Sequence, residues 1–509
     1  MSVSQPVRSD RHPTAPGRAP AASARRAGAL VSRTPVALPV SLVAFAVAAL
    51  GSGGREIWFD ESVSWLTTTL PWPELRHLLG NMDLTHALYY LALRGWTALA
   101  GDSTLALRFP SVVGTAVAAG ALTLLGAKLY DGTVGVTAGL LFVAIPSVSR
   151  YGQEARSYAW VVALTVLATL ALVGALDRPS WPRWVRYGGC LLALTCLHAV
   201  AATVLAAHAL LVGSAFRRGG ARRAWALTVL VVAVAAAPLL YAASRQADQV
   251  SWITRDQAAL ARFPRELFGS LPVAVTFVGT GLLGAAVLWR RRRALLRPLL
   301  VWAVAPAVCC YLSHPLVHLF LARFVLFTLP AWALLAAVGI AVPVAALRRA
   351  LPAGGPAAVL GAAVLAVAGV GLPGQVEARR SPVPGEADYR AAAALIDRRY
   401  EPGDGIAYSG WRGWSAPLPM AYQLRTTPRD VFLAVPPGRS GGFWAIDCVD
   451  PAPCLGDVRR IWLVVGGAGD PYEGIPPARA ELLRREFAVT GTDRFVGVVV
   501  VLLARRSGP

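Results

Sequence analysis

Long apolar segments alternate with short arginine-rich intervals through most of this sequence. Of its 509 residues, 55% are hydrophobic and only 15% are charged, whereas an average soluble chain carries about 25% charged residues. Apolar blocks of this length, separated by short basic loops, are typical of repeated bilayer crossings. The sequence therefore predicts an α-helical polytopic membrane protein.

The formal net charge of +21 comes almost entirely from arginine, because Lys128 is the only lysine. A basic chain can bind nucleic acid, but here the arginines lie between apolar blocks, for example at 217–223 and 290–293. That placement is the positive-inside pattern of cytoplasmic loops. It argues against a nucleic-acid partner and for membrane lipids.

Residues 1–34 form a basic segment rich in Pro, Ala, Ser and Arg, which we interpret as a disordered cytoplasmic tail. The first apolar block, 35–50, is short enough that a cleaved signal peptide is a competing interpretation. Both interpretations place the chain outside from about residue 52. Eleven crossings follow from this start: 35–50, 107–128, 133–149, 158–176, 188–199, 200–214, 224–242, 271–289, 298–312, 324–346 and 356–372.

This count places the arginine-rich loops inside and the C-terminus outside. Residues 84–100 are apolar too, but counting them as a crossing would reverse every later loop. The segment is also shorter than the roughly 20 residues that a span needs. We therefore interpret it as a juxtamembrane or re-entrant helix in a first outer loop that covers residues 52–106, within a membrane domain at 35–372.

Residues 373–509 change in character, with Pro, Gly and charged residues, a helical stretch at 387–400 and strand-like runs at 461–467 and 496–504. This composition predicts a small extracytoplasmic α/β domain. Cys448 and Cys454 lie in its polar part, where a local disulfide and two free thiols are both open interpretations.

Two adjacent carboxylates, Asp60 and Glu61, follow the first crossing in the string WFDES. An acid held in an aromatic setting near the membrane can act as a general base or help to bind a divalent cation. The alternative is purely structural, because Asp caps a helix well and Glu suits a first helical turn.

A second polar interval, 150–158, lies between two apolar blocks on the same predicted face. It contains Gln153, Glu154 and Arg156 besides Arg150, and such a cluster can bring a carboxylate and two guanidinium groups to a phosphate-bearing substrate. An interfacial anchor of Arg and Tyr explains the same string equally well.

A third group lies at a late outer junction, where His314, His318 and Arg323 occur. Arg323 begins an apolar span, so its charge either meets a lipid phosphate or snorkels to the interface. His86 and His198 also fall at outer loops, and such histidines are functional ligands or hydrogen-bonded structural groups.

The sequence contains no P-loop, no GxGxxG after a strand, no GxSxG and no HExxH. Without a nucleotide site, an activated lipid is the expected energy source for group transfer outside the cell.

Together, several strings resemble the bacterial GT-C glycosyltransferases in order and spacing over residues 36–346. The most similar branch contains protein mannosyltransferases and aminoarabinose transferases, of glycosyltransferase families 39 and 83. The strings are WFDES, THALYYLALRGW, GDSTLALRFPS, YGQEARSYAW and ARFVLFTLPAWALL, with DYRAAAALI opening the tail.

The resemblance implies transfer of a sugar, with mannose as one candidate, from a polyprenyl-phosphate donor to a glycan, lipid or protein hydroxyl. It implies Asp60 as catalytic base with Glu61 as companion, and Arg323 as the arginine that meets the donor phosphate. Gln153, Glu154 and Arg156 match the second outer-loop motif, and Arg108 matches a structural arginine.

The sequence departs from the family where HPPLYY becomes THALYY, which leaves the role of His86 open, and where Phe324 replaces a tyrosine. Some relatives bind a divalent metal and others need none, so a metal cofactor stays open. Two rival classes also remain: a lipid or solute transporter or flippase, and a catalytically inactive scaffold of the same superfamily. Neither the sugar nor the acceptor can be named from the residues.

Overall fold

A computed structural model describes residues 34–214, 219–347, 350, 352, 354–382, 386–409, 416–467, 470–472 and 474–506. Apart from Thr34, the predicted cytoplasmic tail lies outside the described residues. So do Arg217 and Arg218 of one predicted inside loop.

The membrane domain is helical throughout, and each of the eleven predicted crossings coincides with helix. Its α-helices are α1 (Thr34–Ala49), α2 (Phe59–Thr69), α3 (Trp72–Asn81), α4 (Ala87–Ala100), α5 (Thr104–Leu129), α6 (Gly132–Ala144), α7 (Pro146–Gly152), α8 (Tyr158–Asp177), α9 (Trp181–Leu197), α10 (Leu205–Ser214), α11 (Gly219–Ser244), α12 (Gln257–Phe268), α13 (Leu271–Arg291), α14 (Arg293–Leu312), α15 (Leu329–Ala346) and α16 (Gly355–Glu377). Four 3₁₀ segments interrupt them, at Leu84–His86, Ala199–Val204, Ala247–Val250 and Ala322–Thr328.

Within the described residues, seven helices are long and apolar enough to cross a membrane alone, or eight when α6 and α7 are taken as one bent span. The bend of 69° between these two falls where Pro146 begins α7, because proline cannot continue a preceding helix but suits a first turn. The other predicted crossings are shorter: α1, α9, and the 3₁₀ segment at Ala199–Val204 with α10.

The segment 84–100 forms a 3₁₀ turn and then α4, which packs against α2 and α5. This helix is not among the spans that the described residues provide. It lies beside α2, the first helix of the segment 52–106.

The core of the membrane domain forms around α5, which packs against α1, α6 and α8, and around the contact of α13 with α15. Small residues make the second contact close, since a Cβ atom at Gly284 would overlap the Leu335 carbonyl. These packed helices are a rigid frame that holds the outer loops in place.

The C-terminal domain is an α/β fold. It contains α17 (Tyr389–Arg399), β1 (Gly405–Tyr408), α18 (Pro417–Gln423), β2 (Arg429–Asp430), β3 (Leu433–Val435), β4 (Ile446–Asp447), α19 (Pro451–Leu455), β5 (Arg460–Gly466), α20 (Pro477–Glu486), β6 (Phe487–Phe495) and β7 (Val498–Arg505). Five strands form one sheet in the order β2-β1-β5-β7-β6, and β3 pairs with β4 separately.

The two apolar runs read from the sequence are the central strands β5 and β7 of this sheet. Their alternate residues pack into two separate cores, because helices cover both faces. A strand buried on both sides needs apolar residues at every position, which explains why VGVVVVLLA looks like a short membrane span and is not one.

Candidate active site

Asp60 lies at the start of α2, in the first turn after Trp58. Backbone N–H groups at a helix start favour a carboxylate there. Its Oδ2 lies 3.5 Å from Nη2 of Arg323, and each of the two side chains is 18% exposed. Asp60 is therefore a partly exposed carboxylate that faces the Arg323 cation.

Glu61 has a different environment, because its side chain is fully buried. Arg108 donates from Nε to Oε1 and from Nη2 to Oε2, both at 2.7 Å, and the Ala155 N–H donates to Oε1 at 2.9 Å. Burial raises the pKa of Glu61, but the Arg108 guanidinium outweighs that effect and holds the pKa below its usual value. Glu61 is thus ionised and occupied by donors.

Arg108 also fixes the path of the first outer loop. Its Nη1 donates to the carbonyls of Ser52 at 2.6 Å and Arg55 at 2.9 Å, and its Nη2 donates to that of Glu56 at 2.8 Å. All five N–H donors of a guanidinium are satisfied in this way. The loop that leads to Asp60 is therefore wrapped around one buried cation.

The second polar loop lies directly against the first. Besides the Ala155 contact with Glu61, the Ser111 hydroxyl donates to the Glu154 carbonyl at 2.6 Å. The Gln153 amide donates to the carbonyls of Ala48 at 2.8 Å and Leu50 at 2.6 Å. The structure thus places both polar loops on one side of the helical domain.

Glu154 is fully buried, and its Oε1 lies 3.3 Å from Arg150 Nε and 3.8 Å from Arg55 Nη1. Its Oε2 has no hydrogen-bond partner, and burial raises its pKa. The sequence analysis missed Arg55, which also lies 4.0 Å from Glu386 at the start of the C-terminal domain. Its place five residues before Asp60 was the only signal.

Arg156 is held by two groups from the 84–100 segment. It donates from Nη1 to the Tyr90 hydroxyl at 3.0 Å, and its Nη2 lies 3.1 Å from His86 Nε2. Tyr90 donates in turn to Asp83 at 2.5 Å, and Asp83 also lies 3.5 Å from His86 Nδ1. Sequence reasoning missed Asp83 and Tyr90, although the THALYY string contains the tyrosine.

Asp83 is the anion behind the two groups that contact Arg156, since it contacts both Tyr90 and His86. Burial raises the pKa of Asp83, but the facing His86 and Arg156 lower it by more, so the pKa of Asp83 lies below its usual value. A fixed anion behind His86 and Tyr90 orients both groups toward the arginine. His86 therefore lies next to Arg156, a candidate residue for binding a phosphate group.

Arg323 lies in the 3₁₀ segment Ala322–Thr328, with its guanidinium 5.3 Å from the Trp58 ring and 5.8 Å from the Trp252 ring. Aromatic faces stabilise a cation without using its N–H donors. The Nε atoms of Arg323 and of Arg156 are buried and have no hydrogen-bond partner. Both arginines therefore keep donor capacity for an anion.

The other predicted histidines make contacts away from Asp60. The ring of His314 packs 4.1 Å from that of His318, whose Nδ1 contacts the Ser251 carbonyl at 3.0 Å. Among the described residues, no hydrogen bond or ion pair joins His314 to Asp60 or the two arginines. His198 donates to the Phe324 carbonyl at 2.9 Å and so supports the segment that carries Arg323.

An apolar cavity of about 430 Å³ opens beside this polar cluster. Tyr89, the neighbour of Tyr90, forms part of its wall, together with residues from α4, α5, α8 and α9. The lining residues are Leu88, Tyr89, Ala92, Leu93, Trp96, Phe109, Pro110, Val113, Trp160 and Leu197.

Metal binding needs several free oxygen or nitrogen ligands around one point. Within the described residues, no group of three or more His, Cys, Asp and Glu side chains is placed to hold a metal ion. The carboxylates of Asp60, Glu61 and Glu154 each already face an arginine. This donor set does not fit a divalent cation.

Solved structures share this architecture over almost the whole chain. The apo structure of ArnT from Cupriavidus metallidurans is similar with a TM-score of 0.60 and 15% identity, over 95% of this chain and 98% of that one. The same protein bound to undecaprenyl phosphate gives a TM-score of 0.57 over 93% and 98%. The archaeal oligosaccharyltransferase AglB from Archaeoglobus fulgidus, in complex with an inhibitory peptide and a dolichol-phosphate, gives 0.51 at 12% identity, over 84% of this chain and 69% of that one.

The shared architecture is the GT-C fold, a multi-spanning membrane domain with a C-terminal domain on one side. Residues 87–241 also match the family of dolichyl-phosphate-mannose-protein mannosyltransferases. No curated protein matches the chain by sequence. The family match over residues 87–241 and the shared fold both support the resemblance read from the sequence, and the fold of the chain is that of the GT-C membrane glycosyltransferases.

Proposed function

We propose that this protein transfers a sugar from a polyprenyl-phosphate donor to an acceptor hydroxyl on the outer face of the membrane, with Asp60 as general base. One observation carries the proposal. Asp60 faces Arg323 at 3.5 Å, and Arg323 and Arg156 each keep a buried Nε without a hydrogen-bond partner. A carboxylate beside two arginines with spare donors suits an acceptor proton and a phosphate group.

The apolar cavity beside Tyr89 supports a lipid-linked donor. Its wall is almost entirely hydrocarbon, and it lies next to the Tyr90 and His86 groups that hold Arg156. A polyprenyl tail in this cavity would place its phosphate near the arginines. ArnT bound to undecaprenyl phosphate has the same fold, which fits a donor of this class.

The proposed step is a direct displacement. Asp60 takes the proton of the acceptor hydroxyl, and the acceptor oxygen forms a bond to the anomeric carbon. The bond from that carbon to the phosphate oxygen breaks, and polyprenyl phosphate leaves with the electron pair. Arg156 and Arg323 neutralise the leaving phosphate. A single displacement inverts the anomeric centre, so NMR of the product should show the opposite anomer to the donor.

The other predicted site residues take supporting roles in this proposal. Glu61 and Gln153 position the two loops, because their polar groups are engaged by Arg108 and by backbone carbonyls. Glu154 is a buried acid near Arg150 and Arg55. His86 orients Arg156, and His314 lies at the rim. The mechanism contains no metal step.

The predicted orientation remains part of the proposal. Cys448 and Cys454 form a disulfide in the C-terminal domain, and disulfides are typical of oxidising compartments. Arg390 of that domain donates to the Gly54 carbonyl at 2.8 Å, so the C-terminal domain and the loop of Asp60 share one side. We place that side outside the cytoplasm.

The test compares Asp60→Asn with a matched variant, Asp102→Asn, in a strain that lacks the gene. Asp102 lies in the same outer loop and accepts a hydrogen bond from Trp65 at 2.9 Å, a contact that asparagine can keep. Mass spectrometry of envelope glycans and glycoproteins should show restored transfer with wild type and Asp102→Asn, and none with Asp60→Asn at equal expression. Restored transfer with Asp60→Asn would refute Asp60 as the base.

A further inference from the structure

The loop of the β3–β4 hairpin, residues 436–444, reaches from the C-terminal domain onto the first outer loop; we call it the hairpin arm. Arg439 Nε in the arm lies 3.0 Å from Glu74 Oε1. Phe443 is buried and belongs to the hydrophobic core of the membrane domain. The arm is therefore anchored on the helices that flank Asp60.

Two glycines let the arm lie flat against these helices. Gly438 and Gly441 have positive φ values of 87° and 75°, which only glycine adopts without strain. A Cβ atom at Gly438 would lie 2.6 Å from a Leu70 methyl group, and one at Gly441 would overlap Asn81. The close approach thus depends on these positions having no side chain.

Trp444 ends the arm at the start of α2, the helix that carries Asp60. Its ring stacks on that of Phe59, the residue before Asp60, with ring centroids 5.2 Å apart and planes inclined by 12°. Phe443 already anchors the arm, whereas Trp444 is 52% exposed. A large aromatic ring left half open where it stacks on the residue before Asp60 is a surface that a ligand can cover.

The chemistry of Trp444 and of Asp60 limits the class of ligand that could bind. The ring offers a flat apolar face, and Asp60 takes a proton from a hydroxyl. A sugar chain carries both complementary features, since a pyranose has an apolar C–H face for stacking and hydroxyls at its rim. A serine or threonine acceptor supplies the hydroxyl but no flat face.

We propose that Trp444, stacked on Phe59, is an acceptor subsite that binds one sugar ring of an oligosaccharide while a hydroxyl of a neighbouring sugar reaches Asp60. This inference rests on the proposed function and adds the class of acceptor and a residue that selects it. The C-terminal domain thereby takes part in acceptor binding through the hairpin arm.

The test measures kinetics of sugar transfer by the full chain in nanodiscs. A labelled polyprenyl-phosphate sugar is the donor, and envelope membranes from a strain lacking the gene supply the acceptor. Trp444→Ala should raise the KM for the envelope acceptor by roughly five- to tenfold, as expected for a lost stacking contact. The KM for the donor and kcat should change less than about twofold, and Trp444→Phe should recover most of the acceptor affinity.

Two controls separate the outcomes. Trp181→Ala removes a tryptophan that is 78% exposed at the start of α9 and should leave both KM values unchanged. Protease digestion of the labelled product should leave the label on a glycan. An unchanged acceptor KM in Trp444→Ala, or label that protease digestion releases on peptides, would overturn the proposed acceptor subsite. Sugar transfer by wild type would still support the proposed function in that case. No transfer by wild type from any polyprenyl-phosphate sugar overturns both.

Discussion

The buried pair of Glu61 and Arg108 gives the sharpest prediction about how the site is held. Arg108 uses two of its five donors on Glu61 and three on the carbonyls of Ser52, Arg55 and Glu56. Replacing Glu61 with Leu leaves this guanidinium buried with no counter-charge. Removal of one partner from a buried pair costs about 3–5 kcal/mol.

A second change should restore part of that loss. Arg108→Met alone leaves Glu61 as a buried anion with one remaining donor, the Ala155 N–H, and should cost a similar 3–5 kcal/mol, roughly. The double variant removes both charges of this pair but still leaves three carbonyls without Arg108. We expect it to be more stable than the sum of the single changes by about 2 kcal/mol or more.

The assay is the free energy of unfolding in mixed micelles, titrated with SDS and followed by circular dichroism for the three variants and wild type. Asp60→Asn serves as the control, because its side chain is partly exposed and its Arg323 contact is long at 3.5 Å. It should change stability by less than about 1 kcal/mol. If the stability losses of the two single variants simply add in the double variant, Glu61 and Arg108 do not act as a coupled buried ion pair.

Three further predictions concern other parts of the molecule. Arg323→Lys keeps the charge but loses the planar fork, so the KM for the donor should rise roughly tenfold in the nanodisc assay with the acceptor KM unchanged; an unchanged donor KM would remove Arg323 from the phosphate site. Burial raises the pKa of Glu56 to about 7, so the folded state binds the Glu56 proton more tightly than the unfolded state does. The resulting contribution to the free energy of unfolding is fully present below about pH 4.5 and is lost as the pH rises through 7. The protein should therefore lose about 1–3 kcal/mol between pH 5 and pH 8, and Glu56→Gln should flatten that slope in pH-dependent melting curves. Gly441→Ala should displace the hairpin arm and expose the arm to limited proteolysis, whereas the same change at the open position Gly467 should not.

The helical framework could be predicted because its signal is local. Each crossing is a continuous apolar run, and the arginines at the loops fix the order in which the runs alternate. The two central strands of the C-terminal sheet were predictable for the same reason. The bend at Pro146 and the short 3₁₀ segment before Leu205 change the shape of single crossings. Of the eleven predicted crossings, the described residues provide seven helices, or eight with the bent pair, that are long and apolar enough to span a membrane.

Contacts between distant segments could not be predicted in this way. Nothing in the sequence around Trp444 indicates that it stacks on Phe59, because the two residues meet only when the C-terminal domain has docked. Arg55 and Asp83 were missed for a similar reason. Each is a single charged residue in a polar loop, and its importance comes from the groups that burial brings around it.

The WFDES string shows where sequence reasoning reached its limit at the site itself. Successive residues on a helix point about 100° apart, so two adjacent acids at the start of α2 cannot share one environment. Which of the two acids forms the buried ion pair depends on Arg108, which is 47 residues from Glu61 in the sequence. That arginine binds Glu61 and leaves Asp60 facing Arg323. In the mechanism proposed above, the two acids have separate roles: Glu61 holds the loop, and Asp60, which stays partly exposed, takes the acceptor proton.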